Sequence, residues 1–328
     1  MRLYNRINAI KRINQLAGKG VPFVFLINFE HNCSYIEETN AIDTDELLYQ
    51  FGTKTNYQHT NTTVKPHPIV WSPSPIPFEE YQKAFHQVKN NILKGNSFLA
   101  NLTCITPVES NLSLDDIFVH SEATYKIRLA NHFVCFSPET FIKINNGIIS
   151  SYPMKGTIRA DLPRAAEQLL EDEKEMAEHA TITDLIRNDL SMVAHKVSVT
   201  RYRYIDKLTT NSGKILQTST EITGRLPDNY HQNLGNILFK LLPAGSITGA
   251  PKKKTTEIIK EAENYDRGFY TGIAGYFDGF SLDSTVMIRF VELQNGKLYF
   301  KSGGGITCQS NAISEYQEMI QKIYVPIY

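Results

Sequence analysis

The feature that most constrains this chain is a succession of apolar runs separated by little more than turns: FVCFSPETFIKI from Phe133, VSVTRYRYI from Val197, GFYTGIAGYFDG from Gly268, STVMIRFVEL from Ser284 and KLYFKSGGGI from Lys297. Bounded by Gly, Asn and Asp, these runs read as strands. Parallel neighbours need a long crossover between them, and several of these strands follow one another directly. The pattern therefore predicts an α+β fold with antiparallel or mixed sheets, not a regular βαβ repeat. Two helical segments interrupt the strands, one around Arg164 to Asn188 and one around Ile237 to Leu242 that resumes after Pro251.

The N-terminal part is simpler. A basic helix ends near Gly18 to Gly20, and VPFVFLINF then reads as a buried strand, too short for a bilayer and without a signal-peptide cleavage pattern. From Tyr57 to Pro77 the chain is rich in Thr, Ser and Pro, which makes a poor helix or central strand and a good connector. A helix with Tyr81, Phe85, Val88 and Ile92 on one face begins near Phe78 and stops at Gly95. The reading is a small N-terminal lobe and connector over residues 1–77, packed on a main domain over residues 78–328. A chain of 328 residues is long enough for one large core or two intimate lobes.

Lys plus Arg and Asp plus Glu both number 34. With zero formal charge, no global field attracts nucleic acid or a membrane surface, so an anionic ligand must be held locally. Cys33, Cys104, Cys135 and Cys308 form no C-x-x-C pair. Such scattered cysteines read as reduced thiols and predict a cytoplasmic protein.

Several segments could carry chemistry. Glu175 with Glu178, and Glu315 with Glu318, form two E-x-x-E pairs. Residues three apart share a helix face, so if the two helices face each other four carboxylates converge on a hard cation such as magnesium. Glutamates on an amphipathic helix are otherwise simply solvated. SGGGIT at Ser302 to Thr307 and LLPAGSITGAPKKKT at Leu241 to Thr255 offer bare N–H groups and hydroxyls that suit an anion; a flexible turn is the plainer reading of the first. Arg289 stands inside an apolar strand, where it must either pair structurally or meet a ligand. Lys155 in SYPMKGT would be an ordinary turn lysine unless something suppresses its proton, and Glu139 in FSPET is an isolated acid.

Taken together, these segments resemble the chorismate-utilising enzymes, whose members include anthranilate, aminodeoxychorismate, isochorismate and salicylate synthases. From Phe78 onward the motifs come in that family's order: SPE at Ser137 to Glu139, P-x-KGT at Pro153 to Thr157, AEH and DLIRNDL, PAGSITGAPK, YTGIAGY, IR, GGGI and EYQE. The resemblance implies two large antiparallel or mixed β-sheets packed together with helices outside, a chorismate-binding catalytic domain over residues 78–328, and Mg2+ as cofactor.

Carried over residue by residue, the resemblance makes Glu178 and Glu318 direct metal ligands, with Glu175 and Glu315 completing the site directly or through water. Arg289 and Tyr276 would contact the enolpyruvyl carboxylate, and Thr248, Gly304 and Gly305 the ring-carboxylate side. Gly156, Thr157 and Ser246 join them as substrate-binding residues. Glu139 would protonate the departing C4 hydroxyl. Lys155 corresponds to the lysine of aminodeoxychorismate synthases, where anthranilate synthases have alanine, and implies covalent catalysis. Chorismate, ammonia and a separate glutamine amidotransferase subunit follow as partners, in service of 4-aminobenzoate and folate synthesis. Anthranilate synthase, and behind it isochorismate synthase, are the alternatives. Two departures refine the match: Leu99 stands where many members have glutamine, and Gln217 stands where anthranilate synthases carry a histidine linked with pyruvate elimination.

Overall fold

The computed structural model describes residues 1–58, 68–210 and 213–327, which form two antiparallel sheets lying face to face with helices on both outer sides. The middle of the expected connector, residues 59–67, lies outside the described residues. The helices are α1 (Arg6–Gly18), α2 (Phe78–Leu93), α3 (Leu114–His120), α4 (Ala165–Glu171), α5 (Glu173–Ser191), α6 (Leu234–Leu241), α7 (Lys252–Ala262) and α8 (Ala312–Gln321). The helical segment expected from Arg164 is thus two helices. Asp172 breaks it: its extended backbone ends α4, and its carboxylate accepts the Glu175 N–H at 2.9 Å to start α5.

Among the described residues the larger sheet has ten strands, with Phe23–Ile27, Ile273–Phe277, Leu282–Val286, Thr140–Asn145, Ile148–Ser151 and Gly213–Arg225 running through its middle. The smaller has nine, with Leu99–Ser110, Lys297–Ile306, Phe290–Gln294, Phe133–Ser137, Tyr125–Leu129 and Leu47–Phe51 in that order. Every strand ladder among the described residues is antiparallel. The N-terminal residues are woven into both sheets, since Phe23–Ile27 pairs with Ile273–Phe277 and Leu47–Phe51 with Tyr125–Leu129.

Antiparallel strands commonly keep one wet face, yet here runs such as FVFLI and FVCFS are buried on both. The alternation of side chains explains why. Phe23, Phe25 and Ile27 pack under α1 and α6, whereas Val24 and Leu26 face the other sheet. On the second sheet Phe133 and Cys135 face inward, while Val134 and Phe136 pack under α2, α3, α7 and α8. One strand puts cations on its helix side: Lys126 in Tyr125–Leu129 caps the end of α3, donating to the Phe118 and Ser121 carbonyls at 2.9 and 3.0 Å.

The chain crosses between the sheets at two adjacent places. It passes from Phe133–Ser137 to Thr140–Asn145, and again from Leu282–Val286 to Phe290–Gln294. Glu139 lies on the first crossing and Arg289 on the second. This is where the functional cleft opens.

Candidate active site

Lys155 lies on the strand Met154–Arg159, which pairs with Gly213–Arg225. The register slips between Lys155 and Thr157, and Gly156 between them takes φ +73°. This is a bulge built on the backbone freedom of glycine, and it re-aims the neighbouring side chain. It also leaves room: a Cβ on Gly156 would come within 3.0 Å of Glu175 Oε2 and 3.1 Å of Leu169 Cδ1. Helices α4 and α5 therefore close down on the bulge. From α5, Glu178 Oε2 reaches to 3.6 Å from Lys155 Nζ.

The triple glycine forms the opposite wall, on the strand Lys297–Ile306. Leu102 and Thr103 of the neighbouring strand leave no space for a side chain at Gly303. A Cβ on Gly304 would meet Glu315 Oε2 at 3.4 Å and Glu318 Oε1 at 3.6 Å, whereas one on Gly305 would meet Lys155 Nζ at 3.5 Å and Leu99 Cδ1 at 3.1 Å. Bare backbone thus separates the α8 carboxylates from Lys155. Lys322, at the end of α8, donates to Glu318 Oε1 at 2.7 Å and to the Gly303 carbonyl at 2.8 Å.

Glu139 approaches from the crossing between sheets. Its carbonyl accepts the Thr285 hydroxyl at 2.6 Å and its N–H donates to Ser137 Oγ at 3.1 Å, so the backbone is fixed at both ends. The carboxyl accepts a hydrogen bond from the Ser246 hydroxyl. The residue is half-buried, opening onto the cleft. Burial raises its pKa; the Ser246 hydrogen bond and the charges of Lys155 and Lys322 pull the other way.

Ser246 is held in turn by the PAGSITGAPK loop. Gly245 packs against Asp189 and Leu185 of α5. Lys252 Nζ, at the head of α7, pairs with Asp189 Oδ2 at 2.7 Å and donates to the Leu241 carbonyl at 2.7 Å. Burial works against both charges, raising the Asp189 pKa and lowering that of Lys252, so each charge depends on the other. The RND and APK segments act here as one clamp.

A cleft of about 420 Å3 is lined by Glu139, Lys155, Gly156, Thr157, Ser246, Arg289, Gly304, Gly305 and all four glutamates. Two expected contacts lie elsewhere. Thr248 is fully buried, and its hydroxyl donates to the Ala244 carbonyl at 2.6 Å to shape the loop. Tyr276 is in register with Val24, so its side chain joins the core between the sheets, with its ring 5.8 Å from that of Tyr49. Tyr270 of the same YTGIAGY run lines the cleft instead, and burial raises the pKa of its hydroxyl. Arg289, with φ +53°, meets no carboxylate among the described residues: it donates to the Lys322 carbonyl at 3.0 Å and lies over the Tyr324 ring. Sequence reasoning missed Lys322, although it stands one helical turn after Glu318. Leu99 and Gln217, the two departures, are both close at hand, Leu99 against Gly305 and Gln217 on the lining.

Among the described residues, no three carboxylate, imidazole or thiol side chains stand close enough together to form a metal cluster. The four glutamates face the common cleft in two pairs instead of meeting at one point. Their chemistry still fits a hard cation, since every donor is an oxygen and the missing Cβ of Gly304 leaves a cradle in front of Glu315 and Glu318.

Such a cleft, with cations and bare N–H groups beside carboxylates able to take a metal, defines a site for a small, multiply anionic molecule. The comparisons agree. A model of the chorismate binding enzyme family matches residues 9–327, and the chain belongs to that family. It is 49% identical over 318 residues to an "Uncharacterized PabA-like protein" of Haemophilus influenzae, covering 97% of this chain and 96% of that protein. It is 34% identical over 260 residues to aminodeoxychorismate synthase component 1 of Salmonella typhimurium, covering 74% of this chain and 56% of that one. With anthranilate synthase component 1 of Acetivibrio thermocellus the identity is 31% over 265 residues, covering 76% and 52%. The chain spans about half the length of these two synthases. Among solved structures, anthranilate synthase component I from Streptococcus pneumoniae superposes with a TM-score of 0.67 at 28% identity, covering 80% of this chain and 60% of that one. The menaquinone-specific isochorismate synthase of Escherichia coli shares the fold, with a TM-score of 0.74 at 16% identity and coverage of 98% and 82%.

Proposed function

We propose that this chain is the synthase subunit that makes 4-amino-4-deoxychorismate from chorismate and ammonia, with Lys155 as a covalent nucleophile. The observation that carries this reading is the placement of Lys155: its ammonium stands at the cleft wall, 3.6 Å from Glu178 Oε2 and beside the bare backbone of Gly305.

In this reading chorismate lies between the Lys155 bulge and the triple glycine. Arg289, Lys322 and the glycine N–H groups hold its carboxylates. Glu175, Glu178, Glu315 and Glu318 would hold magnesium, which when bound would supply positive charge for the ring carboxylate. Lys155, once neutral, forms a bond from Nζ to C2; the diene electrons shift around the ring and the C4–O bond breaks. Glu139 gives its proton to the departing hydroxyl, which leaves as water. Burial favours the protonated carboxyl needed for that step, and Ser246 orients it. Ammonia then bonds to C4, the electrons shift back, and the bond from C2 to Lys155 breaks. The ammonia comes from a separate glutamine amidotransferase subunit, and a downstream lyase converts the product to 4-aminobenzoate for folate synthesis.

The test is incubation of the purified chain with chorismate, magnesium and ammonium, with and without an aminodeoxychorismate lyase. A product that becomes 4-aminobenzoate only when lyase is added supports the reading. The second reading, anthranilate synthase, draws on relatives of similar identity. Fluorescent anthranilate formed without lyase would establish it and displace the first.

A further inference from the structure

We propose that His179 is a positioning residue that fixes the backbone of Lys155 through a buried relay of threonine hydroxyls. This rests on the reading of Lys155 as the nucleophile. His179 follows Glu178 on α5 and is fully buried, as are Thr218 and Thr220 of the strand Gly213–Arg225. A polar group buried this deeply is costly unless every donor and acceptor finds a partner. Here each one does.

The Thr218 hydroxyl donates to the Lys155 carbonyl. A hydroxyl has one proton, so Thr218 can only accept from the imidazole Nδ1, which stands 3.4 Å away. Nε2 is then the unprotonated nitrogen and accepts the Thr220 hydroxyl at 2.6 Å. Thr220 Oγ1 in turn accepts the backbone N–H of Arg203 at 3.0 Å. The chain of bonds runs in one direction, from Arg203 through Thr220, His179 and Thr218 to Lys155, and assigns the neutral Nδ1–H tautomer.

Arg203 closes the arrangement from the other side. It bends the strand His195–Thr210 with φ +45°, at a place where the pairing register shifts. Its guanidinium donates to the Leu170 and Leu169 carbonyls at 2.9 and 3.0 Å, capping α4. Leu169 is one of the two side chains that cover Gly156. Helix α5 thus grips Lys155 twice, with Glu178 at the ammonium and His179 beneath the carbonyl, while Arg203 sets α4 over the adjacent bulge. Misplacing a reacting atom by about 1 Å can cost a hundredfold in rate, and that is the error this relay prevents.

The experiment compares His179→Leu, His179→Asn and Thr220→Val with the parent and with Lys155→Ala, measuring kcat, the KM for chorismate and the thermal midpoint. Leucine fills the space without bonding; asparagine keeps a donor where Nδ1 stands. The expected result is a loss in kcat of about 10- to 100-fold for His179→Leu with KM changed less than about 2-fold, and recovery of most of that loss in His179→Asn. Thr220→Val, which removes one link with almost no change of shape, should lower kcat by about 3- to 10-fold and add nothing when combined with His179→Leu. Should His179→Leu fail to fold, the Thr220→Val and His179→Asn results decide. Full kcat in folded His179→Leu, or in Thr220→Val if leucine is not tolerated, overturns the proposal while Lys155→Ala is inactive. Full activity in Lys155→Ala instead overturns the proposed function itself.

Discussion

The two walls of the cleft are built on the same plan and differ in one respect. Each has an E-x-x-E helix lying over a glycine, α5 over Gly156 and α8 over Gly304, and each has a lysine paired with the second glutamate. On the α5 side the lysine comes from a strand, Lys155, and the backbone beneath it is locked by buried hydrogen bonds. On the α8 side the lysine comes from the helix end, Lys322, and leans on a glycine carbonyl, with bare strand before it. A lysine on a fixed backbone suits a group that forms and breaks a bond; a cation beside open N–H groups suits one that only binds. On the proposed reading, the α5 wall carries the chemistry and the α8 wall the recognition.

The sharpest way to break that assignment is to remove each lysine. Lys155→Ala should lower kcat with ammonia by at least about 10^3-fold while leaving the KM for chorismate within a few-fold. Steady-state kinetics check it; a folded variant with near-normal turnover breaks the account of the α5 wall. Next, Glu139→Gln should lose about 10^2- to 10^3-fold in kcat, as removal of a general acid does, with the loss following the departing hydroxyl and not chorismate affinity. Lys322→Met should behave in the opposite way, raising the KM about 10-fold with kcat within about 3-fold; a collapse of kcat would erase the distinction between the walls.

The smallest effect concerns stability. The pKa of Glu139 is raised by burial, so the folded state holds its proton more tightly than the unfolded state. Stability from this group is therefore full below the ordinary carboxylate range and is lost as pH rises through the folded value. Glu139→Gln, which stays neutral, should raise the thermal midpoint at pH 8 by more than at pH 4, as scanning calorimetry can show. An equal gain at both values would mean that the carboxyl carries no such strain.

Much of this was readable in the sequence, and the rest was hidden for physical reasons. Apolar runs with turns between them give antiparallel strands, and the strand around Phe133 and the helix from Phe78 lie where their patterns place them. The assignment of strands to two sheets was hidden, because Glu139 and Arg289 sit at crossings that look like ordinary breaks in apolar runs. The E-x-x-E pairs and K-G-T announce the cleft because three-residue spacing and a glycine after lysine have local meaning. Tyr276, expected at the substrate, faces the core between the sheets while Tyr270 of the same run lines the cleft, since only the register against Val24 decides which way a strand tyrosine faces. His179 stands in the AEH motif, but its role was hidden: one buried histidine on a helix looks like any other until Thr218 and Thr220, about forty positions away by the numbering, come beneath Lys155.

The most direct measurement is the mass of the peptide containing Lys155 after the chain is mixed with chorismate and magnesium without ammonia and then denatured. The account predicts that Lys155 gains the mass of chorismate less one water, and that added ammonium discharges the adduct as product forms. Turnover to the same product with Lys155 unmodified throughout, and undiminished in Lys155→Ala, would contradict it.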